Sequence, residues 1–383
     1  MKFLTRVIAP AAAALAAAAL AATPALAAPA PAAHHPHNVG APGAVFVQTN
    51  NVAGNAVVAY HRNPNGTLKL VATYPTGGLG GVLGGSVVDH LASQGSLGYD
   101  RHHRLVIAVN AGSNTVSVFA VFGDRLKLRQ VVRSGGTFPV SVTVHGNYVY
   151  VLNALNGGSV YGYRVYRGKL FPVFGSLRKL GLNPTLTPQF LNTPGQVSFT
   201  PSGSKLLVTT KANGDNVDVF LVRRGGRLSI KPVVNHEPSA EPFGITYDRY
   251  GHVVLAEAGP NAVATFALTR YGILVPLHIA LTGQSATCWI TRAGRFFYAS
   301  NAGSASVSGY TISHRGQLSP LGNTTTDAGT VDSASAAHGR FLYVQTGAAG
   351  IVDEFVVRAN GSLVEIGSVT VAGAVGGQGI VAL

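Results

Sequence analysis

Lys211 and Glu257 occupy equivalent positions in two successive repeats of this sequence, LLVTTKANGDNVDVF and VVLAEAGPNAVATF. An ammonium and a carboxylate facing one pocket can combine proton transfer with stabilisation of developing negative charge. The same two residues can also form a structural ion pair between neighbouring repeats. Elsewhere the corresponding position holds Asn51, Asn110, Asn153, Asn301 and Thr346. An Asn there caps a tight turn and tolerates left-handed backbone angles, so turn chemistry alone accounts for it. Lysine and glutamate have no such explanation. A second polar set, Gln196, Glu241, Gln284, Asp332 and Gln378, lies at the start of another strand in its repeat and can face the same pocket. Oxygen ligands from Glu257, Asp332 and the Asn side chains would suit calcium, but no spacing specifies it. Cys288 has apolar neighbours and no basic partner, which describes an inert buried thiol. The sequence contains no nucleophile elbow, P-loop or HExxH motif.

The elements that must position these residues repeat seven times. Each unit is an apolar strand, a Gly/Asn-rich turn, a second alternating strand ending in an aromatic, and a turn leading to an outer strand. The aromatics are Tyr60, Phe119, Tyr163, Phe220, Phe266, Tyr310 and Phe355, with spacings of 59, 44, 57, 46, 44 and 45. A period near 45 with strand alternation and no helical stripe is the mark of a β-propeller. The two long spacings place insertions at Gly77–Gln94 and Lys179–Thr193; the glycines of the first suggest a mobile loop, a lid over the channel. A small-residue strand precedes most units, as in PVSVTV, PGQVSF, PFGITY and SATCWI, and supplies the innermost strand of a four-stranded antiparallel blade. Blade one lacks this strand, and GGQGIVAL at residues 376–383 resembles it. The expected fold is therefore an all-β, seven-bladed propeller whose C-terminal strand closes the ring on Val45–Thr49.

Of 383 residues, 46% are hydrophobic and 11% charged. Disordered chains combine low hydrophobicity with high charge, so disorder is excluded, and a single Cys excludes an internal disulfide. Residues 1–27 carry Lys2 and Arg6, then an Ala/Leu run and Ala25-Leu26-Ala27, the pattern of a cleaved secretory signal peptide. Residues 28–42 read as an Ala/Pro/His-rich linker in which His34, His35 and His37 lack an evident fourth metal ligand. Residues 43–383 form the propeller. No later segment reaches the length a membrane-spanning helix needs, so the mature chain is expected to be secreted, a monomer, with no membrane span.

The formal charge is +14, and it is lopsided. Residues 101–231 contain 17 Lys/Arg against Asp124, Asp215 and Asp218. Many of these cations flank outer strands: Arg125, Lys127, Arg129, Arg164, Arg167, Lys169, Arg223, Arg224 and Arg227. Such a sector attracts anionic polymers, and for an exported protein a cell-wall polyanion fits better than nucleic acid, since no aromatic-basic stacking platform is evident.

The segments PGQVSFTPSGSKLLVTTKANGDNVDVF and PFGITYDRYGHVVLAEAGPNAVATF resemble the seven-bladed lactonase family, which includes bacterial 6-phosphogluconolactonases and the fungal carboxy-muconate cyclising enzyme. The repeat pattern resembles the family over most of residues 43–383, the specific motifs over blades four and five. The family's His after Pro194 is Gly195 here, and its Arg-His pair is missing around Pro242-Phe243-Gly244. The resemblance implies hydrolysis or formation of a small-molecule lactone at the channel mouth without metal or cofactor. Glu257 would be the general base and Lys211 would stabilise the oxyanion. Asn110, Asn153, Gln196, Asn301, Asp332 and Gln378 would bind substrate. The competing expectation is a non-catalytic binding propeller that recognises an anionic cell-wall polymer or a protein through its mouth or its basic sector.

Overall fold

The computed structural model describes residues 43–383. The signal-peptide and linker readings, with His34, His35 and His37, fall outside the described residues.

β-Branched residues alternating with small ones build seven antiparallel sheets, each a blade. Blade two is representative: Leu97–Asp100 innermost, then Leu105–Asn110, Thr115–Phe122 and Arg125–Arg133. The other inner strands are Pro139–His145, Val197–Phe199, Pro242–Tyr247, Thr287–Ala293, Thr330–Ala336 and Ile380–Ala382. The register aromatic of every blade is buried, at most 3% exposed, and packs between neighbouring blades. In blades one, two, five, six and seven the ladder to the outer strand shifts by one residue immediately before this aromatic. A bulge increases local twist, and its recurrence gives the blades a common shape. Blade three departs from the simple pattern: its outer position is split between Lys169–Pro172 and Arg178–Lys179, both paired with Ser159–Tyr166.

Ring closure follows the expectation. Ile380–Ala382 is the inner strand of blade one, with Val45 opposite Ala382, Phe46 opposite Val381 and Val47 opposite Ile380. Gln48 N–H donates to Gly379 and Leu383 N–H to Ala44, extending the pairing at both ends.

The first insertion enters the channel. Gln94 N–H donates to Gly195, Ser93 Oγ to Val140, Gln94 Nε2 to Ile290, and Gln378 Nε2 to Ser93 Oγ. Gly95 N–H donates to Asp332 Oδ2. Gly244 completes the circle: a Cβ there would lie 2.3 Å from Gln94 Oε1, so only glycine admits the amide. One segment that touches the inner strands, or the residues leading into them, of blades one, three, four, five, six and seven must lie on the ring axis. The loop expected to be a mobile lid is thus tied down at its end, and it fills the channel with polar groups that are mostly satisfied.

Candidate functional site

The two insertions meet over the channel mouth. Gly84 N–H donates to Gln189 Oε1, and Phe190 N–H donates back to Gly84. Lys211, two residues past the strand Lys205–Thr209 and with φ of 54°, joins them. Its ammonium donates to Ala92 O at 2.7 Å from the first insertion, and to Phe190 O and Thr193 Oγ1 from the second. Three acceptors match the three N–H groups of an ammonium. Burial pulls Lys211 down to about 7, opposed by the negative charges of Asp89 and Glu241. Asp89 accepts from Leu91 N–H and Ser93 N–H, each at 2.9 Å, and burial pushes its carboxyl up to about 7 against these bonds and the Lys211 charge. Beneath the insertions lies a cavity of about 160 Å³ lined by Val88, Phe190, Phe243, Trp289, Cys288, Lys211 and Glu241. Burial pushes the Cys288 thiol up to about 12, so it is no nucleophile at neutral pH.

Glu257 lies elsewhere. It is 4% exposed and lines a groove of about 560 Å³ on the side of blade five that faces blade four, with Glu237, Phe266, Leu277 and His278. Burial pushes its carboxyl up to about 7, with Glu237 adding to the rise. Lys211 does not line this groove, and Glu257 does not line the cavity under the insertions. The acid and base singled out in the sequence are therefore not brought together.

The amide residues hold the blades. Asn110 Nδ2 donates to Thr115 Oγ1 and Ser117 Oγ, and its Oδ1 accepts from Asn55 Nδ2. Asn301 repeats this with Ser306 and Ser308, accepting from Thr287 Oγ1. Asn153 donates to Ser134 O, and its buried Oδ1 has no partner. Gln196 accepts from Ile245 N–H and ties blade four to blade five. Gln378 and Asp332 face the channel plug rather than open space. Sequence reasoning passed over the plug, Ser93–Gln94, and Asp89. The signal for Asp89 was the single acid of a glycine-rich insertion. Among the described residues no group of three or more His, Cys, Asp or Glu is placed to hold a metal ion.

Asp332, Glu257 and Glu354 are each pushed to about 7 mainly by burial, against about 4 in an unfolded chain. Between those values the folded protein binds more protons than the unfolded one, so stability falls as pH rises from about 4 to 7. Lys211 stays largely charged in both states until the top of that window, where burial pulls it down to about 7, and so offsets little of the trend. The melting temperature by calorimetry is expected to be higher at pH 5 than at pH 7.5; the opposite order would contradict the burial of these carboxyls.

No family model matches the chain, and no curated protein matches it. Solved structures do. The periplasmic gluconolactonase of Pseudomonas aeruginosa superposes with a TM-score of 0.72 at 18% identity, over 90% of this chain and 99% of that one. A 6-phosphogluconolactonase-like protein of Bacteroides fragilis gives 0.70 at 19% identity, over 89% and 97%. The fold is that of the gluconolactonase propellers. An inactive variant of virginiamycin B lyase from Staphylococcus aureus is also similar, at 0.52 and 15% identity over 70% and 82%. A fold similar to proteins with such different names leaves function to be argued from the site.

Proposed function

We propose that the protein is an exported binding propeller whose working surface is the basic sector of blades two to four, and whose partner is an anionic cell-wall polymer. The observation that carries this reading is the absence of internal neutralisation. Among the described residues, the ion pairs within 4.0 Å are all between His and Asp: His61 with Asp124, His103 with Asp100 and His252 with Asp248. No Lys or Arg among them is paired with a carboxylate. Arg125, Lys127, Arg129, Arg164, Arg167, Lys169, Arg223, Arg224 and Arg227 are all exposed. The blade-four hairpin that bears Arg223, Arg224 and Arg227 packs on blade three, where Tyr150 Oη donates to Gly226 O and Arg178 donates to Leu228 O and Ser229 O. The cations of the two blades thus form one surface.

Two aromatic rings stand within it, though not as a stacking platform. Tyr166 and Phe171 are 54% and 48% exposed, and their rings meet edge to face with centroids 6.2 Å apart. The Arg167 guanidinium lies 5.3 Å from the Tyr166 ring centre. Exposed rings between cations suit the sugar faces and charged groups of an acidic polymer.

Lone surface charges contribute little, but a field of like charges steers a polyanion and binds it by counterion release. Replacing Arg223, Arg224 and Arg227 together by Ser is expected to weaken retention on heparin or a polyglycerol phosphate by about tenfold or more at low salt, and to leave the melting temperature unchanged. Unchanged retention would sink the reading. Lactone chemistry at the channel mouth finds less support: the mouth is filled, Lys211 has given its three N–H groups to the protein, and Glu257 opens on another cavity.

A further inference from the structure

Blade five departs from an arrangement that blades two and six share. In blades two and six the residue ending the second strand is Asn110 or Asn301, and the paired third strand presents hydroxyls to it, Thr115 and Ser117 or Ser306 and Ser308. In blade five the same ladder position is Glu257, paired with Ala262, and the hydroxyl positions are Ala262 and Ala264. An acid has replaced the amide, and the side chains that would have satisfied it have been cut back to methyl groups. Glu257 consequently has no hydrogen-bond or ion-pair partner among the described residues, although it is only 4% exposed. Its carboxyl lines the groove of about 560 Å³, a volume within the ~300–1,000 Å³ common for small-molecule sites.

The rest of the groove defines what fits. Pro260, Ala264, Phe266, Pro276 and Leu277 make its wall apolar, and no Lys or Arg lines it. Glu237 adds a second carboxyl. A carboxylate at the foot of an apolar groove, with no protein partner, is poorly solvated, and an occupant bringing positive charge and N–H donors supplies the charge-assisted hydrogen bonds it lacks. Anions are repelled by both carboxyls, and a neutral alcohol offers one donor and no charge. We propose that this groove binds an amphiphilic amine, its ammonium seated on Glu257 beside Glu237 and its apolar body lying against Phe266 and Leu277.

The test is calorimetric titration of the protein at pH 8 with octylammonium and tryptammonium, beside the matched alcohols and carboxylates. The ammonium ions are expected to bind at least tenfold more tightly than the alcohols, and the carboxylates not at all. Glu257→Gln is expected to lose tenfold or more of the ammonium affinity and to leave alcohol binding alone. Ala264→Leu, which fills the groove while keeping the acid, is expected to abolish both. The Arg223, Arg224 and Arg227 to Ser variant is expected to bind ammonium ions as wild type does. Equal binding of ammonium and alcohol, no ammonium binding up to millimolar concentration, or unaltered binding by Glu257→Gln or by Ala264→Leu would each overturn the proposal.

Discussion

Deleting Gln378–Leu383 is expected to abolish cooperative folding. The segment supplies the inner strand of blade one, and its loss exposes Val45, Phe46 and Val47 along an unpaired edge that is fully buried in the closed ring. It also removes the bonds from Gln378 Nε2 to Ser93, from Ser96 Oγ to Gln378 O, from Arg62 to Leu383 O and from Leu383 N–H to Ala44. Each buried backbone group left unpaired costs about 1–3 kcal/mol, and a domain is stable by only ~5–15 kcal/mol. A handful of such losses, with the burial of Ile380 added, is enough to consume the whole. A graded version guards against trivial failure: Ile380→Ala, at a site 4% exposed, is expected to cost about 2–5 kcal/mol in urea denaturation. A deletion variant that melts cooperatively at the wild-type midpoint would show that the ring needs no closing strand.

The second large effect is expected at Lys211→Met. Methionine fills similar space but leaves Ala92 O, Phe190 O and Thr193 Oγ1 without their donor and strips the nearby Asp89 carboxyl of the opposing charge that lowers it. Leaving buried hydrogen-bond acceptors without their donor costs about 1–3 kcal/mol each, and the loss of the nearby charge adds to it. Measured at pH 6, where the ammonium form prevails, the single variant is expected to lose at least that much stability and to become open to proteolysis within 79–92 and 180–193. Adding Asp89→Asn is expected to recover part of the loss, a coupling that the double-mutant cycle reads directly. Wild-type stability and protease resistance in Lys211→Met would contradict the role of Lys211 as the clamp between the insertions.

The architecture was legible because it is written locally and then repeated. The aromatics from Tyr60 to Phe355 fixed the blade count, and small residues marked the inner strands, the C-terminal one included. The site was not legible because its parts meet by geometry that no single repeat encodes. Lys211 and Glu257 align in the sequence, but in the ladders Thr210 takes the rung of Glu257 and Lys211 lies one residue beyond it, drawn over the mouth by two insertions that exist nowhere else in the ring. Glu257 is turned between blades by its strand's alternation. The channel plug joins Ser93 and Gln94 to residues up to 285 positions away, which periodicity cannot foretell. One clue was within reach: the hydroxyls five and seven residues after Asn110 and Asn301, and their replacement by alanines after Glu257.

The most direct test of the polyanion reading is the salt dependence of binding. Affinity of the purified protein for a polyglycerol phosphate of defined length would be measured from 50 to 300 mM salt. With about six exposed cations engaged, a log–log slope near −4 is expected, from roughly 0.7 released counterions per phosphate on a flexible chain; the three-arginine variant is expected to lose about 2 of it. A flat dependence, or an identical slope for the two proteins, would contradict a working surface on blades two to four.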